Sequence, residues 1–567
     1  MAGVISAVRE NPPGELRAPL ITGALLALVV AALTLTPIIF ILLNSLNVAR
    51  PGESWQFGLE GWREVFQSSR TLNAIGYSFL LAVRTAIGIA VAFVFSWLLI
   101  RVRIPFARFI EFSLWIAYFL PPLPMALSWI LLLDPNYGLL NQLFQIAHFK
   151  LSIYSVYGIL WVHLTTSTIP LMTILLTPAL RQMDGSLEEA ARVCGAGYLQ
   201  TFKRILIPVL TPALLTIVLA SVVRNLEAFE IEQLLGKPAG IYVYATRIYD
   251  LIQWEPPLFA QAMSLSTLFL VILVLLALFY QHYSSRRSFA TISGRGVSFR
   301  PTDIGRGRYA ISGFLLLFLS LSVFLPLAFL LIGSSMKLFG YFNVSGPFSG
   351  RHWLLVLNDP QFLLGVRNSF LVGLGTAGVG IILYSLLGYA LLRARLAGKP
   401  LINLLIWLPW AVPGILLGLA FLWLFLSVPI LTPLYGTFGG LILVLLLKEM
   451  PIGVHMVKAG FVQLAEELEQ VARVCGAGWL STYWRITLPL ILPTLVSIFA
   501  IVFVSAIRDI SAIILISTSA TRPLSLLMME YSLANQMEAA SIIGVILSLF
   551  GIGVAFISRR LGIRLGT

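Results

Sequence analysis

The sequence predicts an all-α polytopic membrane protein with about twelve transmembrane helices in two parallel six-helix repeats, and three observations lead there. Of 567 residues, 58% are hydrophobic and only 11% charged, with a mean hydropathy of +0.92, whereas soluble domains carry about 25% charged residues. Apolar runs of about 20 residues, enough to cross roughly 30 Å of hydrocarbon, recur along the chain. The heptapeptide ARVCGAG occurs twice, at residues 191–197 and 472–478, in otherwise apolar surroundings.

Leu20–Leu43 is the first run, and its length predicts a retained anchor rather than a cleavable signal. Tyr77–Ile100, Ile110–Leu133, Ile153–Leu176, Val209–Phe229 and Leu258–Tyr280 complete the first series. The second series is Ile311–Ile332, Phe370–Leu392, Leu401–Leu426, Phe438–Val457, Ile491–Leu515 and Ala539–Ile557. Between them Ser284–Arg308, rich in Ser, Gly and Arg, reads as a basic cytoplasmic linker joining a first domain, 1–283, to a second, 309–567.

Short loops rich in Lys and Arg stay in the cytoplasm. Arg101, Arg103 and Arg108, Arg192, Lys203 and Arg204, Arg393, Arg395 and Lys399, Arg473 and Arg485, and the tail residues Arg559, Arg560 and Arg564 all fall on one side. Both termini are therefore expected in the cytoplasm. The opposite side carries Arg50, Arg63, Arg70, Lys150, Lys237, Arg351 and Arg522, so the bias is partial. A net charge of +14 spread over such loops fits contact with anionic lipid headgroups, not a nucleic-acid footprint.

The repeat reaches beyond the heptapeptide. Trp62, Ser78, Phe79 and Thr85 recur at one constant spacing as Trp353, Ser369, Phe370 and Thr376. Pro121 returns as Pro413, and Pro170 and Gly195 return as Pro451 and Gly476. An even number of spans per unit makes the repeats parallel, with a translocation path expected between them.

Arg181–Pro208 interrupts the apolar pattern. Leu187, Ala190, Ala191 and Cys194 recur at helical spacing, and Glu188 and Glu189 suit the first turn of a short amphipathic helix. Gly195 and Gly197 permit a sharp change of direction before a second helix, Leu199–Leu206, that ends at Pro208. Two short helices at an angle make a compact knob on the cytoplasmic side.

The pattern Glu189-Ala190-Ala191, Gly195, Ile205, Ile207, Pro208 resembles the EAA loop of permease subunits of ABC importers. The second copy has Gln470-Val471-Ala472, Gly476, Ile486, Leu488 and Pro489, with Glu466, Glu467 and Glu469 keeping its helix start acidic. Gln470 and Val471 stand where the motif has Glu and its first Ala, which leaves open whether the loops couple equally. The resemblance implies two fused permease domains of the type I ABC importer fold, with loops near 180–208 and 461–489. It implies ATPase-coupling roles for Glu188, Glu189, Ala190, Ala191, Gly195, Ile205, Pro208, Glu469, Ala472, Gly476, Ile486 and Pro489. In that family each loop enters a cleft on an ATPase subunit, and ATP-driven closure switches the permease between inward-facing and outward-facing states.

The chain has no G-x-x-x-x-G-K-[ST] sequence. ATP and Mg are thus expected on two copies of a separate cytoplasmic ATPase. A substrate-binding protein is expected on the opposite face, and this chain is expected to be a transport subunit, not an enzyme, with no cofactor of its own. Val222–Ile252 and the fused layout resemble ferric-iron importer permeases, while thiamine, sulfate, phosphonate and polyamine relatives share much of the pattern.

Charges within spans are costly and mark function by default. Arg224, Glu227 and Glu230 fall at i, i+3 and i+6, near one helical face; Lys448, Glu449, Arg508 and Asp509 are the other candidates for a path or gate. Carboxylates there suit a hard cation such as ferric iron. The alternative is structural ties or gates, Arg224 with Glu227 and Arg508 with Asp509. No metal-ligand set is assigned.

Gly373, Gly375 and Gly378 fit G-x-G-x-x-G but lie inside a span, where close helix packing is the expected reason. Cys194 and Cys475 are expected to be small buried packing residues, and His163 and His455 core or pore-lining ones. An ion-coupled secondary transporter would also show repeats and intramembrane charges, but would have no use for two docking knobs.

Overall fold

The computed structural model describes residues 17–51, 53–145, 148, 150–183, 185–285, 301–393 and 399–560. Among these the protein is helical, and its only β-type pairings are isolated bridges at Asn47–Phe57, Val102–Thr302 and Met336–Phe348. Eight helices are long and apolar enough to cross a membrane, and four bent helix pairs raise the total to as many as 12. Residues 286–300 of the linker, with Arg395 and Arg564, lie outside the described residues.

The third and ninth spans are not the straight helices that Ile110–Leu133 and Leu401–Leu426 predict. Each is bent by 101°, between Ala107–Phe119 and Pro122–Leu133 and between Lys399–Trp410 and Gly414–Ser427. The equivalent prolines explain it: Pro121 (ψ 139°) and Pro413 (ψ 149°) take extended backbone and have no N–H to continue the ladder. Every residue of Leu123–Leu133 and of Gly414–Phe425 is buried. A helix apolar on all faces belongs inside the bundle, where protein rather than lipid surrounds the irregular backbone.

Proline also shapes the other spans. Loosened π-turns at Leu164–Thr168, Phe202–Leu206, Ser320–Phe324 and Tyr483–Thr487 precede Pro170, Pro208, Pro326 and Pro489. The proline ring crowds the carbonyl four residues back, and the ladder accommodates it by widening. The eleventh span bends by 75° between Trp479–Leu490 and Leu492–Arg508. It ends at Arg508 rather than at the predicted Leu515, because Asp509 Oδ1 accepts the Ala512 amide (3.0 Å) and starts a turn. Two short helices, Tyr244–Gln253 and Leu524–Leu533, were not predicted; 10 residues are too few to give a span's apolar signal.

The chain forms two compact units that do not coincide with its two repeats. One comprises Met1–Gly58 and Arg367–Arg522, the other Leu59–Val366 and Pro523–Thr567. In the first, Arg17–Asn44 packs on Lys399–Trp407 and Gly414–Ser427. In the second, Leu325–Ser334 packs on Pro122–Leu133 and Met537–Arg560. The leading helix of each repeat thus covers the buried half-helix of the other repeat.

Small residues permit several close approaches within the first of these units. A Cβ at Gly373 would meet Phe503 at 3.0 Å, and one at Gly375 would meet Ile442 at 2.5 Å, so packing accounts for these two glycines; Gly378 faces open space. A Cβ at Gly453 would lie 2.1 Å from the Tyr384 ring, whose hydroxyl donates to the Leu446 carbonyl (2.7 Å). Gly453→Leu is expected to cost about 1–3 kcal/mol by overpacking, seen as a lower melting temperature of the detergent-solubilised protein, with Gly378→Leu near wild type.

Candidate functional site

The two repeated loops fold alike. The first runs as helix Ser186–Val193, a turn, helix Tyr198–Thr201 and the π-turn to Leu206; the second as Glu467–Val474, a turn, Trp479–Thr482 and the π-turn to Thr487. Gly195 (φ 77°) and Gly476 (φ 82°) sit at the helix ends in the left-handed region. The turns close with Ala196 N to Ala191 O (2.9 Å) and Ala477 N to Ala472 O (3.0 Å), six-to-one bonds that satisfy carbonyls the helix end leaves over. Nothing lies within 4 Å of a Cβ built at either glycine, so backbone conformation, not space, requires glycine there.

Each loop is held to its own unit by an ion pair on a buried glutamate. In one unit, Arg101 at the end of helix Arg84–Arg101 donates from Nε to Glu188 Oε1 (2.7 Å) and from Nη2 to the Met183 carbonyl (3.3 Å). The two side chains are 1% and 2% exposed. In the other, Arg393 at the end of helix Pro360–Arg393 donates to Glu469 Oε1 (3.0 Å), to Glu466 and to the Leu464 carbonyl, and the Tyr389 hydroxyl donates to Glu469 Oε2. The acid kept and buried in both copies is therefore Glu188 and Glu469. Glu189 and Gln470 are both exposed, so the departure of the second copy falls on its outer face.

That outer face is apolar. Val193 and Val474, at matching positions, are each 88% exposed, and Leu187, Leu468 and Val471 are exposed beside them. Ala191 and Ala472 are buried, and Ile205 and Ile486 half-buried. Cys194 and Cys475 are free and exposed, not buried packing residues, because the turn at each helix end directs them outward.

The intramembrane charges separate into two groups. Lys448 pairs with Asp509, and Glu449 Oε1 accepts a hydrogen bond from Ser505 Oγ (2.7 Å). In the other unit the helix ends at Leu226, so Glu227 and Glu230 lie beyond it instead of continuing the face of Arg224. Arg84 is the reason, as its Nη2 takes the Asn225 carbonyl (2.8 Å) and caps the last turn. Arg84 Nη1 also donates to Glu232 Oε1 (3.2 Å), which lies 2.8 Å from His163 Nε2. Arg84 and Glu232 were missed by the sequence reading. A lone arginine inside the run Tyr77–Ile100 was the available signal, whereas Glu232 lay past the apparent end of a span. His163 takes the place of a buried core histidine. Arg224 is exposed, and Glu227, Glu230 and Arg508 are half-buried. Among the described residues no three His, Cys, Asp or Glu side chains are grouped to hold a metal ion.

A family model described as "Binding-protein-dependent transport system inner membrane component" matches residues 84–289 and again 379–566. The chain is 29% identical over 366 residues to the ferric transport system permease protein FbpB of Actinobacillus pleuropneumoniae, covering 62% of this chain and 51% of that protein. It thus spans about half the length of that relative. It is 23% identical to the Fe(3+)-transport system permease protein FbpB 2 of Haemophilus influenzae, over 92% of this chain and 95% of that one. A molybdate/tungstate transport system permease protein of Pyrococcus abyssi is 29% identical over 36% of this chain and 80% of its own length. Among solved structures, a bacterial ABC transporter involved in the import of alginate aligns with TM-score 0.41 and 19% identity, over 48% of this chain and 97% of that chain.

Replacing Gly195 or Gly476 by alanine is expected to cost about 1–2 kcal/mol at the turn through the left-handed backbone. Hydrogen exchange of the amides at 194–197 or 475–478 should accelerate roughly five- to thirtyfold, with amides in the neighbouring spans unchanged.

Proposed function

Because the chain belongs to the family of binding-protein-dependent transport system inner membrane components, we propose that it is the permease of an ATP-driven importer, that its two loops dock on a pair of cytoplasmic ATPase subunits, and that it carries ferric iron inward by alternating access. The observation that carries the docking role is the pair of valines, Val193 and Val474, each held 88% in water at the tip of an anchored helix. An apolar side chain kept exposed at the same place in both repeats fits a cleft on a partner. Glu188, Glu469, Ala191 and Ala472 face inward and fix each helix. Glu189, Ala190 and Gln470 face the partner, Gly195 and Gly476 set the turn, and Ile205, Pro208, Ile486 and Pro489 lead each loop into its next span. ATP and Mg belong to the ATPase, both chain termini lie in the cytoplasm, and a binding protein delivers the cargo on the opposite face.

Ferric iron is supported by relatives named as ferric transport permeases, one of them aligned along nearly its whole length. It is also supported by Glu227 and Glu230, half-buried carboxylates past a helix end, which suit passage of a hard cation. Lys448 with Asp509 and Glu449 with Ser505 are assigned as ties or gates.

The wild-type protein should co-purify with its ATPase, and proteoliposomes of the complex with the binding protein should take up radioactive iron, and not molybdate, only when ATP is present. Val193→Asp combined with Val474→Asp should abolish co-purification, and Glu189→Lys or Gly195→Pro should abolish uptake while leaving the permease in the membrane. A maleimide should label Cys194 and Cys475 in the free permease and much more slowly in the complex. Uptake driven by an ion gradient through this chain alone would refute the importer reading.

A further inference from the structure

Helix Arg84–Arg101 is unusual in having a buried arginine as its first residue and another as its last. Arg101 holds Glu188 on the docking loop (2.7 Å). Arg84 holds Glu232 (3.2 Å) and the carbonyl of Asn225 (2.8 Å), at the end of the span that the docking loop feeds. Both arginines are essentially inaccessible, at 0% and 1% exposure. The helix between them has 18 residues, about 27 Å at 1.5 Å per residue, close to the thickness of the hydrocarbon core. It carries no proline, the commonest cause of a kink.

We propose that this helix is a strut that passes displacement of the docking loop to the far end of the next span, and that Arg101 and Arg84 are the positioning residues at its two joints. The proposal rests on the importer reading above and deepens it. A buried ion pair suits a joint, since the groups have no water to replace a lost partner and stay together as the helix moves. What arrives at Arg84 acts on Glu232 and on the carbonyl that ends the helix before Glu227 and Glu230, the carboxylates assigned to the path. The second repeat builds only the cytoplasmic joint. Arg393 anchors its loop, but the position equivalent to Arg84 is Gly375, so the 34-residue helix Pro360–Arg393 has no cation at that point, whereas the 33-residue span Ser69–Arg101 carries Arg84 there. The strut is thus a property of one half.

The test uses the full complex with its ATPase and binding protein, reading both ATP hydrolysis and solute imported per ATP. Removing both charges of a joint avoids stranding a buried charge, so the variants are Arg101→Gln with Glu188→Gln, Arg84→Gln with Glu232→Gln, and all four together. The Arg84→Gln with Glu232→Gln variant should assemble, hydrolyse ATP within about twofold of wild type, and import about tenfold less per ATP; the Arg101→Gln with Glu188→Gln variant, which also frees the docking helix, should import about tenfold less per ATP at whatever rate it hydrolyses, with no further loss when the joints are combined. The exchange Arg101→Glu with Glu188→Arg should recover at least half of the coupling. Combined with Arg393→Gln and Glu469→Gln, either joint variant should show independent, multiplying losses. Equal falls in hydrolysis and import, normal coupling in a joint variant, or multiplying losses between the two joints would each overturn the strut. If a joint variant does not assemble, the charge exchange decides the matter, and an assembled exchange variant without recovery also overturns it. Failure of the wild-type chain to bind an ATPase would instead overturn the importer reading.

Discussion

Hydrocarbon offers no partner to a polar group, so each amide and charge carried into it has to be satisfied by the protein itself. The bends, ties and buried half-helices of this chain follow from that constraint. Where Pro121 and Pro413 break the ladder, the pieces that follow are wrapped on all sides by protein. Where the span Ile207–Leu226 stops, its last-turn carbonyl is taken by Arg84, which in turn neutralises Glu232. One guanidinium thereby answers two demands: a helix end left without an acceptor's partner and a carboxylate left without a counterion. Breaking such a pair by removing one partner costs about 3–5 kcal/mol. Such contacts are therefore costly to break one partner at a time.

In the two repeated loops the logic inverts. Water can satisfy any polar group there, so an exposed valine is the feature that calls for a partner. The loops place Val193 and Val474 outward by tying Glu188 and Glu469 inward, and the left-handed glycine ends each helix just past the valine. Anchor, apolar tip and turn are three separate constraints met within ten residues. Their recurrence in both repeats makes the loop a unit with one geometry: each arginine engages a buried glutamate and a loop carbonyl, and Arg393 also engages Glu466 while the Tyr389 hydroxyl donates to Glu469.

Span positions were legible because hydropathy reports the one thing lipid selects, an apolar run of sufficient length. Nothing in that signal says which spans touch, so the exchange of leading helices between the repeats could not be read from it. The bends could have been. Pro121, Pro122 and Pro124 stand together within one run, yet a count of apolar residues passes straight over them. In the loops the spacing of Gly195, Ile205 and Pro208 marked the repeated segment, and Glu188 and Glu469 stand among its candidate residues. Which of the clustered acids is buried shows only once Arg101 and Arg393 are seen to reach Glu188 and Glu469, while Glu189 and Gln470 face out. Cys194 and Cys475 were misread because helical spacing placed them with the buried alanines, while the turn at the next residue carries them to the surface.

Duplication also shows which part of an intramembrane tie the fold requires. In each half the chain leaves the helix that follows the repeated loop and soon presents a buried carboxylate, Glu232 in one and Asp509 in the other. Their cations have different origins. Arg84 lies in the span Ser69–Arg101, whose end pairs with Glu188 of the first loop, whereas Lys448 lies within the span Phe438–Val462 that runs into the second loop. The carboxylate recurs because a chain that stops being helical at membrane depth needs an acceptor to gather stray amides and a neighbouring cation, as Asp509 does with the Ala512 amide. The cation can come from any helix packed nearby, since its long side chain reaches across while its charge needs only one partner. Placing it on the helix that ends at Arg101 connects this tie to the first loop through the Arg101–Glu188 pair, and placing it on Lys448 connects it to the second loop through the span that enters that loop. The two repeats thus build a similar tie from different helices.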